Sequence, residues 1–442
     1  MTRLLAAVVI MLVIGACATS DVPPAGSEAL PEDRDGATAQ QVVAEGVARE
    51  TPQDAPVDAA VQGMTRFGHD LYQVIPALER NTVLSPLSIA YAFAMARAGA
   101  RGETAEQIDA VLHLPDAGLH AAVNTLDQQI VTADAPPPRP SPEATETADG
   151  PPEPPVVSIA NGLFAQQGQP VEEAFLETLA AQYGVGVRTV DFTQPDAAKS
   201  TIDAWVRQQT AERIKQLFNS LDPNTKLVLA NAVYLKADWA TPFAENPTKD
   251  APFTLADGTT VQAPTMHRLD TMRYTTGDGW QAVELPYAGD ELAMWVLVPT
   301  GDTPLADLLA PDTLAAVDAG LAEGTVDLYL PRWDFATDLD LVPPLQQLGM
   351  QVPFTAQADF SGMIDGVWIS QAIHRANITV DEWGTEAAAV TGLAFEVSGP
   401  PQPDVTIRAD RPFAFVVRHT PTGAPLFLGH VTDPTVSAAA TG

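Results

Sequence analysis

The sequence predicts an α+β fold with a large central mixed β-sheet and helices packed around it. Two observations predict it. Apolar residues early in the chain recur at helical spacing, whereas strand-length apolar runs outnumber helices late in the chain. Hydrophobic residues make up 46% of the 442 positions, enough to bury a large core, and no internal repeat is present.

Residues 1–17 read as an export signal. Arg3 supplies the positive start, and Leu4 to Ile14 form an apolar run too short to span a bilayer comfortably. The run ends in Ile14-Gly15-Ala16-Cys17, which looks like a bacterial lipobox whose cysteine takes a diacylglyceryl group. Cys17 is the only cysteine in the chain. The expectation is an exported protein, lipid-anchored at the cell envelope or extracellular, touching the membrane through that lipid. The alternative is an ordinary signal peptide.

Residues 18–56 are rich in Ala, Pro, Asp, Glu and Gly and predict a disordered, solvated tether. From Val57 the pattern changes. Val61, Met64, Phe67, Leu71 and Ile75 sit at helical spacing. Ser85-Pro86 predicts the start of a second helix, with serine as cap and proline in the first turn. Residues 132–155 are a Pro-rich, acidic stretch that cannot build a core and read as a surface insertion. Beyond it, Ala174 to Tyr183 is helical. Strands are expected at Lys226 to Leu235, Leu292 to Val298, Thr325 to Leu330, around Ile407, at Phe413 to Val417 and at Pro425 to Val431.

Composition narrows the function classes. With 23 basic and 56 acidic residues the formal charge is −33, which repels nucleic acid and anionic lipid headgroups. A single cysteine forbids an internal disulfide. The seven histidines are scattered, with no metal-binding His pair, and phosphate-cradling, nucleophile-elbow and dinucleotide motifs are absent. No cofactor and no metal are expected.

Five segments stand out in order: Asn81-Thr82-Val83-Leu84-Ser85-Pro86-Leu87-Ser88-Ile89; Asn161-Gly162-Leu163-Phe164; Asn231 to Trp239 with Pro242-Phe243; Glu382-Trp383-Gly384-Thr385-Glu386-Ala387-Ala388-Ala389; and Arg411-Pro412-Phe413-Ala414-Phe415 with Thr422-Gly423 and Leu426-Phe427-Leu428-Gly429. Together they resemble the serpin family. They flank the Pro-rich stretch, so the resemblance implies one serpin domain over 57–436 with an insertion at about 132–155. Ala211-Glu212 departs from the family, which often has a glycine-bearing turn there.

The resemblance also assigns roles. Glu382, Gly384, Thr385, Glu386, Ala387, Ala388, Ala389 and Thr391 match the hinge of the reactive loop. Ser85, Ser88, Asn231 and His374 match the polar cluster beneath the sheet, and Trp239 the residue where insertion begins. Family spacing puts the bait bond at Ser398–Gly399, with Val397–Ser398 as the next choice and Phe395–Glu396 as the third. Residues 385–398 read independently as a strand. Thr385, Ala387, Ala389, Thr391, Leu393, Phe395 and Val397 form one uncharged set, and both glutamates fall in the other. Yet Gly384 and Gly399-Pro400-Pro401 bracket the stretch as they would an exposed loop.

The implied function is suicide-substrate inhibition of a serine protease. It comprises cleavage of the loop, insertion into the sheet and a covalent complex, by a monomer that is not an enzyme. The small residues near the bond suit an elastase-like or subtilisin-like protease, and no Arg or Lys between Gly384 and Ser398 invites trypsin. Glu103 to Asp109, where the family binds polyanions, is acidic. The rival readings are a non-inhibitory serpin-fold carrier or scaffold, and a lipoprotein hydrolase, for which no nucleophile motif speaks.

Overall fold

The computed structural model describes residues 39–436, apart from 76–78, 134–151, 211, 213, 245–247 and 386–401. The first half runs β1 (Gln40–Val42), α1 (Val57–Val74), β2 (Thr82–Leu84), α2 (Pro86–Gly99), α3 (Gly102–Val111), α4 (Leu119–Ile130), β3 (Val156–Gln166), α5 (Glu173–Tyr183), β4 (Val187–Val190), α6 (Pro195–Gln209) and β5 (Leu227–Asp238). The strand-rich second half runs β6 (Lys249–Thr254), β7 (Thr260–Gly277), β8 (Trp280–Pro286), β9 (Leu292–Pro299), α7 (Leu305–Leu308), α8 (Pro311–Gly320), β10 (Ala322–Pro331), β11 (Trp333–Asp340), α9 (Val342–Gln347), β12 (Ile369–Val380), β13 (Gly384–Thr385), β14 (Val405–Arg408), β15 (Phe413–His419) and β16 (Pro425–Val431).

Two sheets result. A seven-stranded mixed sheet has the order β1-β4-β3-β5-β13-β12-β11. A nine-stranded sheet has the order β14-β10-β7-β8-β9-β15-β16-β2, with β6 added on β7. The α+β class with a large mixed sheet is therefore the observed one. α1 buries Val61, Met64, Phe67 and Leu71, the stripe read from the sequence. α2 begins as expected: Ser85 Oγ accepts from Ser88 N at 3.3 Å, and Pro86 occupies the first turn. Apolar almost all round, α2 is buried on nearly every side beneath the seven-stranded sheet. β5, buried along almost its whole length, lies at the centre of that sheet.

One expectation needs correction. The stretch 18–56 read as a free tether, but its C-terminal part belongs to the fold. Gln40–Val42 pairs antiparallel with Val187–Thr189 at the sheet edge. Arg49 donates to Asn124 Oδ1 at 2.9 Å and pairs with Asp127, while Glu50 N donates to Ala181 O at 2.7 Å. The segment is held by backbone hydrogen bonds, the Arg49 guanidinium and side chains such as Asn124, Gln128 and Gln182 on Glu50, so no apolar periodicity announces it.

The described ends of the Pro-rich stretch lie against each other. Thr132 Oγ1 donates to Pro155 O at 3.1 Å and accepts from Val157 N at 2.9 Å. The glycine-lacking turn at Ala211-Glu212 sets Glu212 at φ +63°, a left-handed conformation that costs a side-chain-bearing residue about 1–2 kcal/mol.

Candidate functional site: the opening in the main sheet

β5 and β12 are parallel neighbours only over part of their length. Leu227–Ala232 registers with Ile369–Arg375, with a bulge near Ser370. Higher up the two strands part, and Gly384–Thr385 lies between them. Gly384 opposes Asp238, and Thr385 opposes both Ala237 and Val380, antiparallel to each neighbour. Between these two regions, Val233 to Lys236 still pairs with β3 and Ala376 to Thr379 with β11. No described residue pairs with their facing edges. Among the described residues the sheet is therefore closed at the bottom by the parallel pair and filled at the top by Gly384–Thr385.

The plug is made by a tight reversal. Asp381 Oδ1 accepts from Trp383 N at 2.8 Å and from Gly384 N at 3.2 Å, and Asp381 N donates to Gly384 O at 3.1 Å. Burial pushes the Asp381 carboxyl up, and those two amides oppose the shift. Gly384 is required: at φ +156°, a β-carbon there would lie 2.1 Å from Ala237 O. Thr385 is buried, its hydroxyl 2.7 Å from Tyr287 OH.

Glu382 is 1% exposed and anchors the reversal. It accepts from Arg332 Nε at 2.9 Å and from Thr248 Oγ1, and its carbonyl accepts from Phe243 N at 2.8 Å. Trp239, directly after β5, donates its backbone N–H to Trp383 O at 2.7 Å and Nε1 to Asp381 O at 3.0 Å. Its ring stacks on Tyr287, centroids 4.5 Å apart and planes 12° apart. Hinge, β5 and the second sheet thus meet at Trp239.

The closed end is polar inside. Asn161, Asn231 and His374 oppose one another in one row across β3, β5 and β12. His374 Nδ1 donates to Asn231 Oδ1 at 2.7 Å, and Nε2 accepts from Ser85 N at 3.1 Å. That pair of roles requires a neutral ring, and burial pushes the imidazole down to about 3. Asn231 Nδ2 donates to Ser88 O at 2.8 Å and to Asn161 Oδ1 at 2.5 Å. Ser88 Oγ and Asn161 Nδ2 are buried without a hydrogen-bond partner.

The structure thus brings Ser85, Ser88, Asn231 and His374 together at one end of the opening, and Trp239, Glu382, Gly384 and Thr385 at the other. Sequence reading missed Asn161, Tyr287, Asp381, Arg332 and Thr248. Asn161 had a signal, a polar residue facing Asn231 in an apolar strand, but the others approach from separate elements. Cys17, Glu386, Ala387, Ala388, Ala389, Thr391, Val397, Ser398 and Gly399 lie outside the described residues. Among the described residues, no group of three His, Cys, Asp or Glu side chains is placed to hold a metal, and no helix is long and apolar enough to cross a membrane.

Comparison with protein-family models matches residues 62–434 to "Serpin (serine protease inhibitor)". Serpin-Z1C of Triticum aestivum is 34% identical over 86% of this chain and 98% of its own. The leukocyte elastase inhibitor of Bos taurus is 34% identical over 84% of this chain and 98% of its own. The native-state structure of the thermophilic serpin tengpin superposes with a TM-score of 0.76 at 23% identity, covering 89% of this chain and 99% of that one. The chain belongs to the serpin family, whose members are generally protease inhibitors.

Proposed function

We propose that this serpin inhibits an elastase-like or subtilisin-like serine protease by cleavage and insertion of its own loop. The observation that carries the reading is the antiparallel Gly384–Thr385 plug in the open end of a parallel pair. A strand that continues from Thr385 runs antiparallel to both β5 and β12. It replaces one parallel pairing with two antiparallel ones, the more stable kind per residue.

The registers agree with one another. Counting on from Thr385 along both neighbours sets Thr391 between Asn231 and His374, which already oppose each other. The same count sets Glu386 against Lys236 and Glu396 against Lys226, so both loop glutamates meet a lysine.

In this reading the protease serine attacks the bait bond, Ser398–Gly399 with Val397–Ser398 as the alternative, and forms an acyl-enzyme. The freed loop then zips in between β5 and β12. Each new hydrogen bond contributes about 0.5–1.5 kcal/mol net, and burial of Leu393, Phe395 and Val397 about 1.5–3 kcal/mol each. A total on the order of 10 kcal/mol suffices to carry the protease along and distort its active site. The name of the bovine relative and the small residues at Val397 and Ser398 support an elastase-like target.

The test mixes the protein with pancreatic elastase, subtilisin, chymotrypsin and trypsin in turn. A band near the summed mass that survives SDS is expected with elastase or subtilisin, and the mass of the released C-terminal peptide identifies the bond. Proteases that nick the loop and stay active would sink the inhibitory reading in favour of a carrier or scaffold.

A further inference from the structure

After the loop, the described chain resumes at Gln402 and enters β14, which pairs parallel with β10, itself antiparallel to β7. One face of these strands is sealed: Met266, Leu328, Leu330 and Ile407 have no exposed surface. On the other face, His267, Tyr329 and Arg408 stand side by side in one row. The Tyr329 ring stacks on His267, centroids 4.4 Å apart and planes 17° apart, and the Arg408 guanidinium carbon lies 3.6 Å from the Tyr329 centroid. Tyr329 is thus sandwiched between an imidazole and a guanidinium. Asp327, next along the same face, holds His267 Nε2 at 2.7 Å.

Arg408 is exposed, and its recorded contact is the tyrosine ring. A guanidinium centred over an aromatic ring at an exposed position still offers N–H donors to solvent, and their fork suits a carboxylate gripped by two parallel hydrogen bonds.

We propose that this row is a second contact for the target protease, in which Arg408 binds a carboxylate on the rim of the protease cleft. The proposal rests on the inhibitory reading above. Continuity of the chain supplies the occupant. Residues after the Ser398–Gly399 bond fill the leaving-group half of the cleft, and only residues 400–404 separate them from β14. Five extended residues reach at most about 18 Å, so a protease seated on the bond also covers the outward face of β14. Charge supports the same occupant. On a chain of net charge −33, Arg408 is an exposed guanidinium close in sequence to the bait, and a charge at the rim of an interface acts mainly on encounter and orientation.

The test compares the wild type with Arg408→Glu and Arg408→Lys, using elastase, subtilisin and chymotrypsin in two forms. Active proteases give the rate of SDS-stable complex formation. Proteases with their nucleophilic serine replaced by alanine give docking affinity without chemistry. Arg408→Glu is expected to weaken docking and slow trapping by about fivefold or more with at least one protease, at an unchanged melting temperature. Arg408→Lys, which keeps the charge and loses the flat fork, falls between. Equal docking and equal rates for wild type and Arg408→Glu with every protease that docks overturn the second contact and leave trapping standing. Arg408-dependent docking without any covalent complex sinks trapping and keeps the contact. No docking of any inactive protease overturns both.

Discussion

His374 is held by one partner that needs a donor and one that needs an acceptor: Asn231 Oδ1 receives its Nδ1 proton, and Ser85 N gives to its Nε2. A second proton turns the acceptor into a donor facing a donor, inside a site with no exposed surface. The folded ring therefore titrates at about 3, against about 6.5 in an unfolded chain. Between those values the unfolded state binds more protons, so stability rises with pH. The contribution is complete above pH about 6.5 and falls by about 1.4 kcal/mol per unit as the pH drops toward 3. Denaturant melts at pH 7 and pH 5 should show about 2 kcal/mol more destabilisation in the wild type than in His374→Gln, whose amide keeps both hydrogen-bond roles without titrating. Equal pH dependence in the two proteins would remove His374 as the cause.

At the scale of elements, the two-residue strand β13 decides how the sheet behaves. Thr385 is 2% exposed against Tyr287. Arginine there would force a charge into a buried seat, at a cost of several kcal/mol. Thr385→Arg should still be cut at the same bond, with the protease released active, because the first step of insertion is blocked while the bait is untouched. Retained SDS-stable complex at the wild-type stoichiometry would contradict that.

The same elements show what the sequence discloses. α1, α2 and the late strands follow from periodicity and a serine cap, and the hinge is legible because its small residues are contiguous. β1 and β13 are too short for any period to register. The anchor of Glu382 is opaque for another reason: Arg332 stands 50 residues away and Thr248 134. Neither belongs to a motif, and only the fold brings them to one carboxylate.

For the whole molecule, the proposed insertion predicts a lower melting temperature before cleavage than after. β5 and β12 pair directly over Leu227–Ala232 and Ile369–Arg375, and in that reading the loop adds two antiparallel pairings between them. Limited cleavage within residues 386–401 should therefore raise the melting temperature, by about 10 °C if ~10 kcal/mol is released in a domain of this length. A cleaved protein that melts with the intact one would place it among carriers.

The placement of Gly384–Thr385 also bears on how the chain comes to be folded. Val380 and Thr385 are near neighbours in sequence, whereas Asn231 and His374 are 143 residues apart. Local pairings close faster than distant ones, so the hairpin that begins at Val380 and Thr385 has a head start over the pairing of Asn231 with His374. Synthesis from the N-terminus handicaps that hairpin, because β5 is made and packed long before the loop exists. A chain diluted from denaturant has no such head start for β5. If the protein inhibits as proposed, its inhibitory state depends on the order of assembly, and a molecule can lose it by unfolding and refolding with every covalent bond intact.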